Sequence, residues 1–115
     1  MDDIARGRLR DPGAAPETGE DAIPLATVGP VAIEQILSGR LVAPVDYPGE
    51  VDEWVVVLAG RAQLEVAGTR LTLDAGDWVL LPAGTPHRLA ETEPETSWLT
   101  VTDRDHDHDG RTGVV

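Results

Sequence analysis

His87 is the residue in this sequence whose type and setting best suit chemistry. It ends the segment GDWVLLPAGTPH, residues 76–87, which contains a turn, a short apolar run and a second turn. Gly76 and Gly84 permit the positive φ angles that tight turns need, and prolines stiffen the second corner. An imidazole held at the start of a strand is able to bind a metal ion or to transfer a proton near neutral pH. The spacing therefore predicts a functional histidine, with a remnant of a lost metal site as the alternative.

Short strands separated by glycine or proline are predicted on both sides of His87. The run EWVVVLAG is typical of a strand buried on both faces, whereas RAQLEVAG and TRLTLDAG alternate between apolar and polar residues. The other predicted strands are AIPLATV at an edge, VAIEQILSG, RLVAPVDY, DWVLLP, PHRLAET and SWLTVTD. Because strands recur about every 8–12 residues and no helical pattern is present, the sequence predicts an all-β antiparallel sandwich or barrel. His87 and Leu89 fall on one face of their strand, which we expect to be the barrel interior.

The length and charge of the chain exclude some classes of protein and some kinds of binding partner. The sequence has 115 residues, no cysteine and a formal net charge of −12 at pH 7. A chain of this length forms one domain, and its negative charge repels phosphate backbones and anionic lipid surfaces. We therefore expect a small-molecule ligand, with neither nucleic acid nor a membrane as a partner. The lack of cysteine and of an apolar leader favours a cytoplasmic protein.

The two ends of the chain differ in composition from its centre. Residues 1–22 are rich in Gly, Pro, Ala and charge, and we interpret them as a flexible arm before a domain over residues 23–103. Residues 104–115 are predicted to be an acidic flexible tail, whose D-x-D-x-D-G run lacks the rest of a calcium loop. An open sheet edge and apolar strand faces predict a homodimer, with residues 23–25 in a clasping or swapped strand.

The segment that ends at His87 resembles the second motif of the cupin superfamily. Gly76, Pro82, Gly84 and His87 match the spacing of that motif, and Glu91 stands where the family usually has asparagine. Alternating strands lie on both sides of the motif, as they do in the family. The resemblance is specific for a fold and not for a reaction, because this fold supports many unrelated functions.

The first cupin motif is only half present. Glu53 and Gly60 keep its E-x6-G half, but DYPG, residues 46–49, stands where the family carries two histidines. The resemblance covers residues 31–102 and extends to small single-domain bacterial cupins that lack the paired histidines. It implies a cupin-type antiparallel β-barrel, which is a double-stranded β-helix or jelly roll.

The resemblance also implies a metal site that this sequence supplies only in part. Cupins surround Zn, Fe, Mn, Ni or a related divalent ion with three histidines and a carboxylate, and Glu53 and His87 match two of these ligands. A third ligand would come from the acidic or phenolic residues before Glu53, namely Asp46, Tyr47, Glu50 or Asp52. Register favours Asp46 or Tyr47. The alternative is a buried hydrogen-bonded pair of Glu53 and His87 that needs no ion.

Two functions of different class fit these residues. The first is an isomerase, cyclase or decarboxylase, metal-free or weakly metal-dependent, with Glu53 as general base or metal ligand and His87 as metal ligand or general acid. We expect burial to raise the pKa of Glu53 toward neutrality. The second is a non-catalytic ligand-binding or structural cupin that has lost its metal site. In both, Tyr47, Trp54 and Trp78 are the aromatic candidates for contact with the ligand.

Overall fold

Two antiparallel sheets make up the part of the chain that the structure, a computed structural model, describes, which is residues 4–103. Their strands are β1 (Glu20–Val28), β2 (Val31–Ser38), β3 (Val45–Tyr47), β4 (Glu53–Ala59), β5 (Arg61–Val66), β6 (Thr69–Asp74), β7 (Trp78–Leu81), β8 (His87–Thr92) and β9 (Thr96–Asp103). The larger sheet has the order β1-β2-β9-β4-β7 and the smaller the order β3-β8-β5-β6. Strands distant in sequence therefore lie side by side, as in a jelly roll, and the prediction of an all-β cupin-type barrel is confirmed.

The predicted acidic tail, residues 104–115, lies outside the described residues. Within the described part, the helical structure is a short 3₁₀ turn, Pro12–Ala14, capped by Asp11. No helix there is long and apolar enough to cross a membrane.

The core lies between the sheets and is built from alternate residues of their strands. Its buried members are Val55, Val57, Ala62, Leu64, Leu73, Leu89 and Trp98. Ala62, Leu64 and Leu73 occupy the inward faces that the alternation predicted. The prediction that β4 is buried on both faces is wrong, because Leu58 is 39% exposed and Val56 only partly buried. The smaller sheet covers just one side of β4, so the alternate residues face outward.

Part of the predicted flexible arm is docked on the larger sheet. The edge strand β1 begins at Glu20 rather than at residue 23, and it pairs with β2. The fully buried Gln35 accepts a hydrogen bond from the Arg10 backbone N–H at 2.9 Å, and its Nε2 donates to the Arg10 carbonyl at 3.0 Å. A side-chain amide has the same donor and acceptor as a peptide group, so Gln35 holds this segment as a neighbouring strand would. Residues 10–22 therefore have more structure than their composition indicated.

The predicted strand RLVAPVDY is mostly irregular, and only its last three residues form β3. Pro44 directly before β3 has no backbone N–H to donate to a strand ladder. This short strand still matters to the site, because it pairs with the beginning of β8 and places Tyr47 opposite His87.

The outer face of the larger sheet exposes apolar side chains at the edge strand β7. Trp78 is 61% exposed and Leu80 is 56% exposed. When an exposed apolar surface extends over several residues, it often binds a protein partner. The homodimer expected from the sequence stays a prediction.

Candidate functional site

A rigid corner between β7 and β8 positions His87. Pro82 follows β7, and Gly84 has a φ of 88°, which glycine adopts without strain. The Gly84 N–H donates to the Gly49 carbonyl at 2.8 Å, and the Ala83 N–H donates to Asp52 Oδ1 at 2.7 Å. The corner is thus tied to the loop before β4. As predicted, Gly84 permits the turn and His87 begins the next strand.

The ring of His87 has a defined orientation. His87 is 8% exposed, and its Nδ1 lies 3.2 Å from the Thr85 carbonyl oxygen. A carbonyl oxygen only accepts hydrogen bonds, so Nδ1 carries a hydrogen. Nε2 is therefore the nitrogen that faces the barrel interior and is free to accept or hold a second proton.

Glu53 meets His87 across the barrel, at a distance of 3.4 Å between Oε1 and Nε2. Glu53 is the first residue of β4, and its side chain is 25% exposed. Burial raises the pKa of Glu53 above its ordinary range, the charge of Glu34 raises it further, and His87 opposes both effects. Since Nδ1 already bears a hydrogen, the pair attracts only when one further proton is shared between Oε1 and Nε2. Glu53 and His87 are therefore able to act together as an acid–base pair.

Tyr47 supports this pair from the smaller sheet. Its ring stacks on the His87 ring, with centroids 5.3 Å apart and planes inclined by 16°. Its hydroxyl donates to Glu20 Oε1 at 3.2 Å, and Ser38 Oγ donates to the other Glu20 oxygen at 2.6 Å. Burial, followed by the charges of Glu20 and Glu53, raises the pKa of Tyr47, so its hydroxyl stays protonated and remains a donor. A hydrogen-bonded chain therefore holds the ring that stacks on His87.

A cavity of about 380 Å³ lies between the sheets at this point. It is lined by Glu20, Ala22, Glu34, Ile36, Tyr47, Glu53, Val55, Leu64, Leu81, His87, Leu89, Trp98, Thr100 and Thr102. Its volume is within the range of small-molecule pockets, about 300–1,000 Å³. Apolar walls with a few converging polar groups are typical of such pockets. The cavity is therefore the candidate ligand site.

The structure brings together only some of the residues that the sequence analysis predicted for the site. Tyr47, Glu53 and His87 all line the cavity. Trp54 and Trp78 are not among its lining residues; their rings pack together at 6.0 Å on the outside of the larger sheet. The alternation of a strand explains this placement, because Glu53 faces inward and its neighbour Trp54 must then face outward.

Asp46 also lies away from the cavity. It is adjacent to Tyr47 in β3 and so faces the opposite side, where its Oδ1 accepts from Arg88 Nε at 2.7 Å. This exposed ion pair, and not a metal site, lowers the pKa of Asp46, chiefly through the hydrogen bond from Arg88. Arg88 follows His87 in β8 and faces away from the barrel interior, as strand alternation requires.

The donor set does not fit a cupin-type metal site. Between residues 4 and 103, no group of three or more His, Cys, Asp or Glu side chains is arranged to hold an ion. Protein metal sites of the catalytic kind use three side-chain ligands, whereas only Glu53 and His87 converge here. The Tyr47 hydroxyl is engaged with Glu20 and supplies no third ligand. The acid–base chemistry of the pair is therefore derived without an ion.

Sequence reasoning missed four polar residues of the cavity, namely Glu20, Glu34, Thr100 and Thr102. Glu20 fell within the segment interpreted as a flexible arm. Glu34 is in β2 two residues before Ile36, on the face that lines the cavity. An acidic residue on the inward face of a strand was a signal present in the sequence.

The fold and this interior site define a jelly-roll barrel with a candidate ligand cavity between its sheets. A family model described as "Cupin domain" matches residues 33–102, and the chain belongs to that family. No curated protein matches the chain.

Solved structures agree with this assignment. A candidate mannose-6-phosphate isomerase from Ralstonia eutropha JMP134 has 32% identity and a TM-score of 0.74, over 87% of this chain and 98% of that protein. A cupin superfamily protein from Desulfitobacterium hafniense DCB-2 has 18% identity and a TM-score of 0.70, over 91% and 98% of the two chains. KdgF from Halomonas sp. has 20% identity and a TM-score of 0.67, over 79% and 86%. The last two similarities concern the fold alone.

Proposed function

We propose that this cupin is an isomerase that moves a proton within a small polar organic molecule bound in the cavity. The observation that carries the proposal is the approach of Glu53 Oε1 to His87 Nε2 at 3.4 Å, which places a carboxyl group and an imidazole together at the cavity wall. The raised pKa of Glu53 makes its carboxylate a stronger base than an exposed glutamate. The name of the Ralstonia protein, which gives an isomerase, supports the same reaction class.

The pair has a defined role at each step of such a reaction. Glu53 removes the proton from a carbon next to a carbonyl group, and the electrons of the broken C–H bond form a C=C bond. The carbonyl oxygen receives the proton that His87 Nε2 carries, which gives an enediol. His87 then removes the proton from the neighbouring hydroxyl, and Glu53 returns its proton to the other carbon. Atoms and charges balance, and the product is an isomer of the starting compound.

Isomerisation is preferred over the cyclase and decarboxylase alternatives because it needs nothing beyond proton transfer. The same pair also fits a non-catalytic cupin, in which Glu53 and His87 would only hold a ligand. Exchange of substrate hydrogen with solvent distinguishes catalysis from binding, since only a catalytic pair breaks a C–H bond.

The test is deuterium exchange in D₂O, followed by proton NMR. The full chain is incubated with uncharged hydroxycarbonyl probes, namely dihydroxyacetone, D-fructose and D-mannose. We expect the C–H signal next to the carbonyl to decay with the wild type and to persist with Glu53→Gln and His87→Asn. Glu91→Gln removes one charge from the outer face of β8 and is the matched control that should keep the exchange.

Two results would overturn the proposal. Binding of a probe without exchange would assign the protein to the non-catalytic class. Exchange that survives both substitutions would mean that Glu53 and His87 do not carry the proton.

A further inference from the structure

We propose that the cavity takes a ligand that carries a protonated amine, held between Glu34 and Thr100, and that it rejects phosphorylated and carboxylated compounds. This inference rests on the proposed function for the location of the site and names the class of its substrate. It is carried by the charges on the cavity lining and by one buried hydroxyl.

Apart from His87, the charged side chains on the lining are acidic. Glu20, Glu34 and Glu53 line the cavity, and no lysine or arginine is among the described residues that do so. His87 faces Glu53, with Nε2 3.4 Å from Oε1. A negative pocket with low-dielectric walls attracts cations and repels anions. A phosphate or carboxylate would find only His87 as a positive partner among the described lining residues, and Glu53 already faces that ring.

Glu34 is the carboxylate of the three that is free to bind a ligand. Glu20 accepts from Tyr47 and Ser38, and Glu53 contacts His87. Glu34 makes no hydrogen bond or ion pair with any residue in the described part, although its charge acts on Glu53. A cation beside Glu34 would relieve the repulsion between these two carboxylates.

Thr100 supplies the second, independent feature. It is the cross-strand neighbour of Glu34 between β2 and β9, it lines the cavity, and it is 9% exposed. Its hydroxyl has no hydrogen-bond partner among residues 4–103, which is unusual for a buried polar group. An ammonium group has three donors, so it can donate to the Glu34 carboxylate and to the Thr100 oxygen at once. The pair therefore forms a binding site for a primary amine.

Aromatic side chains complete the environment of such a cation. Tyr47 and Trp98 both line the cavity. A protonated amine is attracted to the face of an aromatic ring once it leaves water. The cavity thus favours an amine with a short polar carbon skeleton over the phosphorylated sugar in the name of the Ralstonia relative.

The test is isothermal titration of the full chain at about pH 6.5, where an amine stays protonated. The probes differ in charge on one skeleton, namely D-glucosamine, N-acetyl-D-glucosamine, D-glucose and D-glucose 6-phosphate. Serinol and glycerol form a second, smaller pair. We expect at least one amine to bind about tenfold or more tightly than its uncharged partner, and the phosphate to show no binding.

Variants assign the preference to the proposed residues. Glu34→Gln keeps the shape of the side chain and should remove the preference for the amine, and Thr100→Val should weaken the binding of the amine. Glu91→Gln makes the same charge change on the outer face and should retain the wild-type affinity. Thermal melts confirm that each variant is folded.

The outcomes separate this inference from the proposed function. If neither amine binds, if amine and uncharged partner bind equally, or if Glu34→Gln binds the amine like the wild type, the inference is overturned. Amine binding through Glu34 without deuterium exchange of any probe would support the inference and remove the isomerase. Deuterium exchange of the uncharged probes without any preference for an amine would support the isomerase and overturn the inference of an amine ligand.

Discussion

The free energy that couples Glu53 to His87 can be measured with a double-mutant cycle. Glu53→Gln keeps the size of the side chain and removes its charge. His87→Asn keeps a side-chain N–H near the Thr85 carbonyl, which His87 Nδ1 now contacts at 3.2 Å, and removes Nε2. Each change therefore deletes the contact between the pair with little effect on the surrounding fold.

The size of the coupling follows from the geometry. Two unit charges 3.4 Å apart attract by about 5 kcal/mol at an effective dielectric constant near 20, which is an upper limit. The Glu53 side chain is 25% exposed, and ionising both partners carries a desolvation penalty. Hydrogen bonds to charged groups in proteins contribute about 1.5–3 kcal/mol. We expect a coupling free energy of about 1–3 kcal/mol.

The assay is urea unfolding of the wild type, both single variants and the double variant at neutral pH. The coupling is the departure of the double variant from additivity. Asp46 and Arg88 form a matched control, since their atoms are closer, at 2.7 Å, but both side chains are exposed. We expect a smaller coupling there, because water and ions screen exposed charges. A Glu53–His87 coupling below that of the control, or under about 0.5 kcal/mol, would refute the shared-proton interpretation.

Two further predictions concern proton and metal binding at the same site. Burial raises the pKa of Glu53, so the folded chain keeps a proton on the Glu53 carboxyl group at pH values where the unfolded chain has lost it. The stability of the fold must therefore fall as the pH rises above the ordinary range of a glutamate. The free energy of unfolding of Glu53→Gln should therefore rise relative to that of the wild type as the pH increases above the ordinary pKa of a glutamate, about 4.3. A difference independent of pH would contradict the raised pKa. For metal, EDTA should leave the melting temperature of untagged protein unchanged, because the described residues bring only two ligands together. A stoichiometric ion with an EDTA-sensitive melt, lost in His87→Asn, would show that a third ligand exists.

The position of His87 was predictable because turn chemistry fixes it. Glycine and proline at set intervals determine where β7 ends and where β8 begins, and strand alternation then places His87 and Leu89 on one face. The same alternation also shows that two residues assigned to the site from the sequence had to lie outside it. If Glu53 and Tyr47 face inward, then Trp54 and Asp46 must face outward, as they do.

Glu20 and Thr100 were not predictable in the same way. Glu20 belongs to a segment of Gly, Pro and charge whose strand forms only by pairing with β2. The segment before Glu20 is held by the side-chain amide of Gln35, and no local sequence pattern indicates that contact. Thr100 looks like any strand threonine. Whether its hydroxyl has a hydrogen-bond partner depends on the hydrogen bonds that the neighbouring residues make.

Three contacts hold the His87 ring in place. The Thr85 carbonyl fixes the hydrogen on Nδ1, the Tyr47 ring stacks on one face, and Glu53 lies opposite Nε2. Tyr47 comes from the segment where the resemblance would place a metal-binding histidine, and its hydroxyl is engaged with a carboxylate instead of an ion. The barrel thus keeps an oriented imidazole while the residues around it offer carboxylates and hydroxyls rather than further imidazoles. This chemistry supports the proposed transfer of protons on an uncharged or cationic molecule, because the polar groups on the cavity wall are able to donate or accept a proton.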